Sequence, residues 1–297
     1  MNERERMLRV AIGQLEDFAQ EHSCPIYDIS ESRGDLTGSG FFLKLDGQLI
    51  LVTAAHVLEN IRSGSLYLPG QGTFVPLEGH LRTTLQYDTD GRPRYGLDIA
   101  WVVLSSKCAE SVSAQPLGAE DLDPNDIPRV QVHYGFAGFP ASQNKPRPNP
   151  ATQLRPGFVS TEKGCRTFLP KSVFCAGLPA NDSVYAALNL RKECHFAMTF
   201  DRRHMIARDL KEQTAPDPHG MSGGPVWRLG GYQEIERGLL QPRIIALAVE
   251  YHAPIDALVG VRISLLVGAM RNMLDGAVRL PVSRLVKVNV QTRVSEV

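Results

Sequence analysis

The hydrophobic pattern of the chain switches between helical and strand spacing. From Leu8 to Phe18 apolar residues recur on one helical face, which predicts an amphipathic helix of about four turns that ends before Pro25. After residue 262 the segment ISLLVGAMRNMLDG returns to helical spacing and stops at Gly276. Between these helices, short apolar runs are separated by glycine and proline. This pattern favours an all-β barrel architecture over a βαβ sheet.

The clearest predicted strand pair is GSGFFLKLDGQLILVTAAHVL, where two apolar runs flank Asp46-Gly47, a dipeptide suited to positive φ angles. The tail SRLVKVNVQTRV alternates like an additional edge strand, whereas ASQNKPRPNPATQLRPG has the composition of a loop. The other candidate strands are SLYLPG, TFVPLEG, LDIAWVVL, VQVHYGFAGFP, HFAMTF and RIIALAVEY.

Length and charge exclude several classes of protein. A chain of 297 residues suits one large fold or two packed halves. The chain has 32 lysines and arginines and 32 aspartates and glutamates, so its formal net charge is zero. A neutral chain has no overall electrostatic attraction to nucleic acid or to an anionic membrane. No apolar run is long enough to span a membrane, and the first twenty residues mix acids with bases, unlike a secretory signal.

Cysteine usage favours a reducing compartment. The five cysteines, at 24, 108, 165, 175 and 194, are odd in number and show no recurring short spacing, which predicts reduced thiols in a cytoplasm. Cys194-His195 with Cys165 and Cys175 could be combined into a metal site. The absence of a C-x-x-C pair disfavours that combination, so no metal is expected.

Candidate chemistry begins at HGMSGGPVW, residues 219–227, where Gly220, Ser222 and Gly224 form G-x-S-x-G. A nucleophile elbow would need a helix directly after the serine, with its acid and histidine further downstream. Two glycines and a proline begin a helix poorly. The only downstream histidine is His252, and no aspartate lies between it and Ser222. The elbow interpretation therefore fails.

Upstream residues favour a different serine hydrolase. His56 ends the apolar run ILVTAAH, and Asp98 precedes the apolar strand IAWVVL. Taken singly, a histidine, an aspartate or a glycine-flanked serine in such settings is more often structural than catalytic. Together, T-A-A-H (53–56), D-I-A (98–100) and G-M-S-G-G-P (220–225) stand in the order His, Asp, Ser. The chain resembles the trypsin-like, chymotrypsin-fold serine peptidases over roughly residues 35–275.

This resemblance implies an all-β fold of two six-stranded antiparallel barrels, chymotrypsin-like, with an N-terminal and a C-terminal helix. It divides the chain into a helix and lead-in (1–30), a peptidase domain (31–276) whose barrels separate near 115–130, and a C-terminal extension (277–297). It implies a serine endopeptidase with His56 as base, Asp98 orienting it and Ser222 as nucleophile. The amides of Gly220 and Ser222 would form the oxyanion hole, and no cofactor is expected.

The resemblance also suggests a specificity pocket between APDPHG and IIALAVEYH. Pro216 would form its floor, and Glu250 or Tyr251 would narrow it, which favours small aliphatic substrate side chains. Asp217 pointing inward would instead select arginine or lysine. His219 is open to three interpretations: a rival base, a residue at the substrate-contacting rim, or a plainly exposed side chain.

Departures from the secreted enzymes refine these expectations. Val57 follows His56 where secreted members commonly carry a cysteine, so the chain is more similar to disulfide-free bacterial HtrA-like enzymes, here without a PDZ domain. Met221 stands where secreted zymogens carry an acid that pairs with a newly cut N-terminus, so activation by such a cut is not expected. Inserted loops within 141–165 or 176–210 would gate the site or bind a regulatory protein partner.

Two other functions remain open at this stage. One is a catalytically silent trypsin-like scaffold that binds a peptide or partner protein through a closed oxyanion loop. The other is an esterase that uses the same triad.

Overall fold

The structure of the protein is a computed structural model. It describes residues 13–30, 33–59, 65–70, 74–84, 86–87, 93–94, 97–113, 115–145, 147–148, 158–161, 164–167, 170–206, 212–231, 233–234 and 241–274. The first part of the predicted N-terminal helix and the predicted edge strand of the tail lie outside these residues.

The first barrel is a curled seven-stranded antiparallel sheet. Helix α1 (13–21) precedes it. Its strands are β1 (Cys24–Ser30), β2 (Arg33–Leu45), β3 (Gln48–Ala54), β4 (Leu66–Pro69), β5 (Phe74–Pro76), β6 (Gly79–Thr83) and β9 (Ile99–Leu104). Their spatial order is β5-β4-β1-β2-β3-β9-β6. A small sheet of β7 (Gln86–Tyr87) and β8 (Pro93–Arg94) and the short helices α2 (Ala55–Glu59) and α3 (Ser106–Ser111) complete this half.

The second barrel is a six-stranded antiparallel sheet. Its strands are β10 (Val132–Gly138), β14 (Val173–Gly177), β15 (His195–Thr199), β18 (Pro225–Gly231), β19 (Arg243–His252) and β20 (Ala257–Arg262), in the spatial order β14-β10-β18-β19-β20-β15. The Ala180 N–H donates to Ala197 O at 2.9 Å, and the Thr199 N–H donates to Leu178 O at 2.9 Å. These bonds join the end of β14 to β15 and so close the barrel.

The second half of the chain also contains shorter helices and strands. They are β11 (Arg147–Pro148), β12 (Phe158–Thr161), β13 (Gly164–Thr167), α4 (Asp182–Ala187), β16 (Met205–Ile206), β17 (Glu212–Gln213) and α5 (Ile263–Leu274). Single 3₁₀ turns lie at Ala119–Asp121, Arg202–His204 and Ala253–Ile255.

The predicted fold class is confirmed, with differences of detail. Asp46 and Gly47 adopt φ angles of 49° and 78°, as the predicted β2–β3 hairpin requires. The first barrel has seven strands instead of six because the chain between β4 and β6 adds β5 at the edge. Within the segment predicted as loop, Arg147–Pro148 form the short strand β11, which pairs with β13. The structure assigns β1 to the first barrel, and the domain boundaries at 30 and 276 stay predictions.

The segment between the barrels pairs with both of them. The Leu117 N–H donates to Phe42 O at 2.9 Å and its carbonyl accepts from the Lys44 N–H at 2.8 Å, which adds this segment to β2. Further along, the Asp123 N–H donates to Ile244 O at 2.8 Å, on β19. Because this short connection is hydrogen-bonded to one strand of each barrel, it fixes the barrels against each other.

One buried hydrophobic cluster crosses the boundary between the barrels. It contains β3 and β9 side chains of the first barrel together with Trp227, Ile244 and Val261 of the second. Phe18 of α1 packs against Trp227 edge-on, with ring centroids 5.2 Å apart. Leu266 of α5 joins the same cluster. The helices at the two ends of the fold therefore seal a core that both barrels share.

Replacing Phe18 by alanine should destabilise the whole fold, because the half-buried ring contacts a residue of the shared core. We expect Phe18→Ala to lower the free energy of unfolding by about 1–3 kcal/mol in urea denaturation followed by tryptophan fluorescence. Ile127→Ala is the control: Ile127 is 71% exposed, so its loss should change stability by less than about 0.5 kcal/mol. Equal effects of the two substitutions would contradict a structural role for α1.

Candidate active site

His56 lies two residues beyond the end of strand β3 of the first barrel. Strand β3 is buried from Ile50 onward and pairs with β9 through Ala54 and Ile99. The residues that follow β3 and precede β9 are therefore neighbours: His56 is the second residue of helix α2, and Asp98 directly precedes β9. The Ala55 N–H donates to Asp98 O at 3.2 Å, which continues the ladder to this point.

Both carboxylate oxygens of Asp98 bind the same histidine. Oδ2 lies 2.6 Å from His56 Nδ1, and Oδ1 accepts the His56 backbone N–H at 2.9 Å. The side chains are 27% and 16% exposed, so this charge-assisted contact lies largely out of solvent. Asp98 has φ 48°, a left-handed conformation that aspartate tolerates better than most residues. The pair fixes the ring with Nδ1 toward Asp98 and Nε2 on the opposite side.

The serine loop of the second barrel docks against this end of β3. The Gly223 N–H donates to Ala248 O at 2.7 Å, which holds the loop to β19. Gly223 has φ 89°, and a Cβ there would overlap Ser39 O and Thr53 Oγ1. Only glycine permits this close approach. The loop therefore brings Ser222 to the end of β3 from which His56 projects.

Ser39, which the sequence analysis did not single out, joins the loop to the first barrel. It is fully buried on β2, and its N–H donates to Ser222 O at 2.8 Å. Its hydroxyl donates to Gly220 O at 2.8 Å and accepts the Phe139 N–H at 2.9 Å. Its carbonyl accepts from Thr53 Oγ1 at 2.7 Å. One side chain and its backbone thus hold three segments of the chain together.

Two peptide groups of the loop are oriented with their N–H groups outward. The carbonyl of His219 accepts from the Ala141 N–H at 2.8 Å, and the carbonyl of Met221 accepts from the Gly224 N–H at 3.1 Å. Because C=O and N–H point in opposite directions in a trans peptide, the following amides, of Gly220 and Ser222, point away from these partners. Neither donates to an acceptor within the described residues. Both can therefore bind an external anionic oxygen.

The Ser222 hydroxyl is engaged by a residue that the sequence analysis did not identify. Ser222 Oγ donates to Val249 O at 3.2 Å. Val249 lies on β19 where the pairing with β20 shifts register between Ala248 and Glu250. In this structure the hydroxyl thus contacts the strand of the second barrel. A rotation about its side-chain bond is needed to direct it at His56.

A cavity of about 290 Å³ opens beside Ser222. Four of the five residues predicted to contact substrate line it, namely Asp217, His219, Glu250 and Tyr251. Pro216, expected at the floor, does not line the cavity. Buried apolar side chains complete the wall instead, and these are Met221, Ala248 and Leu258. His219 is exposed and lines the cavity, and its role stays a prediction.

Several groups that line this cavity are paired. Asp217 contacts Arg202, a residue without any signal in the sequence, at 3.2 Å. Glu250 lies 3.1 Å from His252. The Tyr251 hydroxyl donates to Asp256 at 3.1 Å. Burial raises the pKa of Tyr251, and the bond to Asp256 adds to this shift. The phenol is therefore neutral and able to donate at physiological pH.

The described part of the chain holds no group of three His, Cys, Asp or Glu side chains placed to bind a metal ion. Within the same residues, no helix has the length and hydrophobicity needed to cross a membrane.

Comparison with known proteins finds similarity of fold and none of sequence. No protein-family model matches it, and no curated protein matches it in sequence. The scabies mite inactivated protease paralogue S-I1 superposes with a TM-score of 0.50 at 11% identity, over 87% of this chain and 97% of that chain. The S-D1 paralogue gives 0.50 at 10% identity, over 88% and 94%. The thermostable serine protease AL20, from an extremophilic microorganism, gives 0.45 at 14% identity, over 87% and 98%.

The two curled antiparallel barrels with their terminal helices define a chymotrypsin-like fold. Similarity at these identities establishes the fold and no more, and both mite proteins are inactivated paralogues. The function must therefore be argued from the residues of the site.

Ser39→Ala should destabilise the fold because it leaves the Phe139 N–H and the Gly220 carbonyl without their buried partner. We expect a loss of about 1–3 kcal/mol in the free energy of unfolding, measured in urea. Ser111→Ala is a matched control, since its hydroxyl donates only to Lys107 O at 2.8 Å on an exposed helix. Wild-type stability of the Ser39→Ala protein would show that the hydroxyl does not hold the loop.

Proposed function

We propose that the protein is a serine endopeptidase that cleaves peptide bonds through His56, Asp98 and Ser222. The observation that carries this proposal is that three features meet where the serine loop docks against the end of β3. These are an oriented imidazole–carboxylate pair, a serine on a tight loop, and two outward-pointing amides on the same loop. An acyl-transfer reaction needs these three features in one place.

The reaction begins when substrate binds beside the cavity and the Ser222 hydroxyl turns from Val249 O to His56. His56 Nε2 takes the hydroxyl proton as Oγ attacks the carbonyl carbon. Asp98, held to Nδ1 at 2.6 Å, stabilises the imidazolium that forms. The Gly220 and Ser222 amides donate to the oxyanion. Catalytic hydrogen bonds often tighten only when substrate is bound, and we propose that substrate draws the Ser222 hydroxyl away from Val249 O in this way.

The tetrahedral intermediate then collapses. The C–N bond breaks, His56 gives its proton to the leaving amine, and an ester forms between the acyl group and Ser222 Oγ. Water attacks this ester while His56 accepts its proton, and the acid product leaves with Ser222 restored. The two hydrogen bonds that Asp98 accepts from His56 keep the ring in one orientation through both half-reactions.

A catalytically silent scaffold is the second candidate. The contact from Ser222 Oγ to Val249 O favours it, because a serine held there is not activated. The inactivated mite paralogues show that this fold also occurs in inactivated proteases. The outward orientation of the Gly220 and Ser222 amides supports the enzyme instead, since a closed oxyanion loop would turn at least one of them inward.

Location and partners are part of the same proposal. We propose a disulfide-free enzyme of a bacterial cytoplasm, acting on proteins or peptides and controlled by a partner that binds the loops within 141–165 or 176–210. Val57 after His56 supports the disulfide-free type. Burial raises the pKa of the Cys24 and Cys175 thiols, which keeps them protonated and unreactive.

Substitution of the three site residues tests the assignment. Ser222→Ala should abolish covalent labelling by a fluorophosphonate and leave the fold intact. His56→Ala should lower turnover on the order of 10⁴–10⁶-fold, and Asp98→Asn should also be severe because the imidazole tautomer changes.

His80→Ala is the control, because His80 is exposed on β6, away from the cleft. Amide and ester substrates of the same acyl group should be compared, since turnover of esters alone would identify an esterase. Hydrolysis by the Ser222→Ala protein at the wild-type rate would refute the assignment, and an unlabelled wild type would favour the scaffold.

Activity should not require cleavage of the N-terminal segment. Met221 is 2% exposed in the core of the second barrel, and a thioether cannot accept an ion pair from an N-terminal amine. The loop is instead held by Ser39. We expect full-length protein to react with a fluorophosphonate as made. Protein that stays inert with every candidate partner and reacts only after limited proteolysis near residues 20–35 would contradict this.

A further inference from the structure

Asp217, which lines the cavity beside Ser222, already has partners within the protein for both of its carboxylate oxygens. Asp217 Oδ1 accepts the His219 backbone N–H at 3.0 Å, and Oδ2 contacts the Arg202 guanidinium at 3.2 Å. Each oxygen of the carboxylate therefore has one partner supplied by the protein itself. The side chain is nevertheless 59% exposed, so a ligand in the cavity can reach it.

Arg202 is placed by contacts that do not depend on Asp217. Its carbonyl accepts the Ala215 N–H at 2.7 Å, and its Nε donates to Ala215 O at 3.3 Å. These bonds hold Arg202 against the segment that precedes Asp217. Its side chain is only 29% exposed. The ion pair is therefore a built feature of the cavity wall, unlike a chance pairing of two mobile surface side chains.

The remainder of the wall favours an apolar ligand. Met221, Ala248 and Leu258 are each at most 3% exposed and contribute hydrocarbon surface. The other acid of the wall, Glu250, faces His252 at 3.1 Å. The cavity volume of about 290 Å³ exceeds the roughly 150 Å³ in which a benzene ring fits. The cavity therefore has room for side chains larger than the small aliphatic ones expected from the sequence.

We propose that this cavity takes an uncharged apolar side chain, aliphatic or aromatic, from the residue before the cut bond, and that Arg202 determines this specificity. Arg202 neutralises Asp217, which would otherwise select lysine or arginine. This proposal rests on the proposed function, because it gives the cavity the role of a substrate pocket.

The physical reason is competition for one carboxylate. A basic side chain entering the cavity would have to displace the Arg202 guanidinium or lie beside it, and like charges at close range repel. An apolar side chain meets no such cost and buries its surface against Met221 and Leu258. Without Arg202, the Asp217 carboxylate would keep only the His219 N–H and would attract a cation.

The test uses equilibrium binding, which does not require catalysis. Full-length Ser222→Ala protein is titrated with benzamidinium, an aromatic cation, and with benzyl alcohol, an uncharged aromatic of similar size. Adding Arg202→Gln should tighten benzamidinium binding about fivefold to tenfold and leave benzyl alcohol unchanged. Adding Asp217→Asn as well should abolish the gain. Arg202→Lys keeps the positive charge and should resemble the parent protein.

Two further variants make the result specific. Lys192→Gln removes a cation from another exposed ion pair, with Asp182, and should change neither titration. Arg202→Met keeps the length of the side chain without its charge and replaces Arg202→Gln if that protein does not fold. Unchanged benzamidinium binding in the charge-removing variants would overturn the role of Arg202.

Peptide libraries with the residue before the cut varied provide the second measurement. Wild-type protein should prefer leucine, methionine or phenylalanine, and Arg202→Gln should gain turnover of lysine and arginine substrates. A wild-type preference for arginine or lysine that is lost in Asp217→Ala would overturn the proposal. Absence of any hydrolysis or labelling, with the binding results as expected, would refute the endopeptidase and leave Arg202 as the gate of a binding cavity.

Discussion

The buried hydrogen bonds of Ser39 are the constraint on which the candidate site depends. His56 and Asp98 belong to the first barrel, and Ser222 belongs to the second. The site therefore exists only where the two barrels are held together. Ser39 provides that lock from β2, with its amide on Ser222 O and its hydroxyl between Gly220 O and the Phe139 N–H. Buried polar groups of this kind are costly to leave unpaired, which makes the docked arrangement strongly preferred.

The same lock sets the electrostatics of the serine loop. Once the Gly220 and Ser222 carbonyls are bound to Ser39, and the His219 and Met221 carbonyls to Ala141 and Gly224, the loop has little freedom to turn. Its two remaining amides are then aimed outward without further reorganisation. What stays adjustable is the Ser222 hydroxyl on Val249 O. The site thus combines a rigid backbone with one rotatable group, an arrangement compatible with substrate-dependent alignment.

The second feature of the site is that both acids lining the cavity beside Ser222 have a partner within the protein. Asp217 faces Arg202, and Glu250 faces His252. The buried surface between them is hydrocarbon. Asp217 lies on a loop and Glu250 lies near the end of β19, whereas the serine loop is held by the docking of the barrels. In the proposed enzyme, the docking of the barrels therefore sets the chemistry and these charged side chains set the specificity.

The sequence by itself determined the β class, the Asp46-Gly47 hairpin and the candidate triad, because these rest on local signals: alternation, a turn dipeptide, and short motifs in a fixed order. It could not identify Ser39, Val249 or Arg202, or exclude Pro216 from the cavity. Ser39 and Gly220 are 181 residues apart, and a serine on a strand carries no mark of its partner. Only the tertiary structure decided these contacts, since the bonds of Ser39 depend on how two independently patterned sheets pack, and those of Val249 and Arg202 depend on how the loops of the second barrel fold.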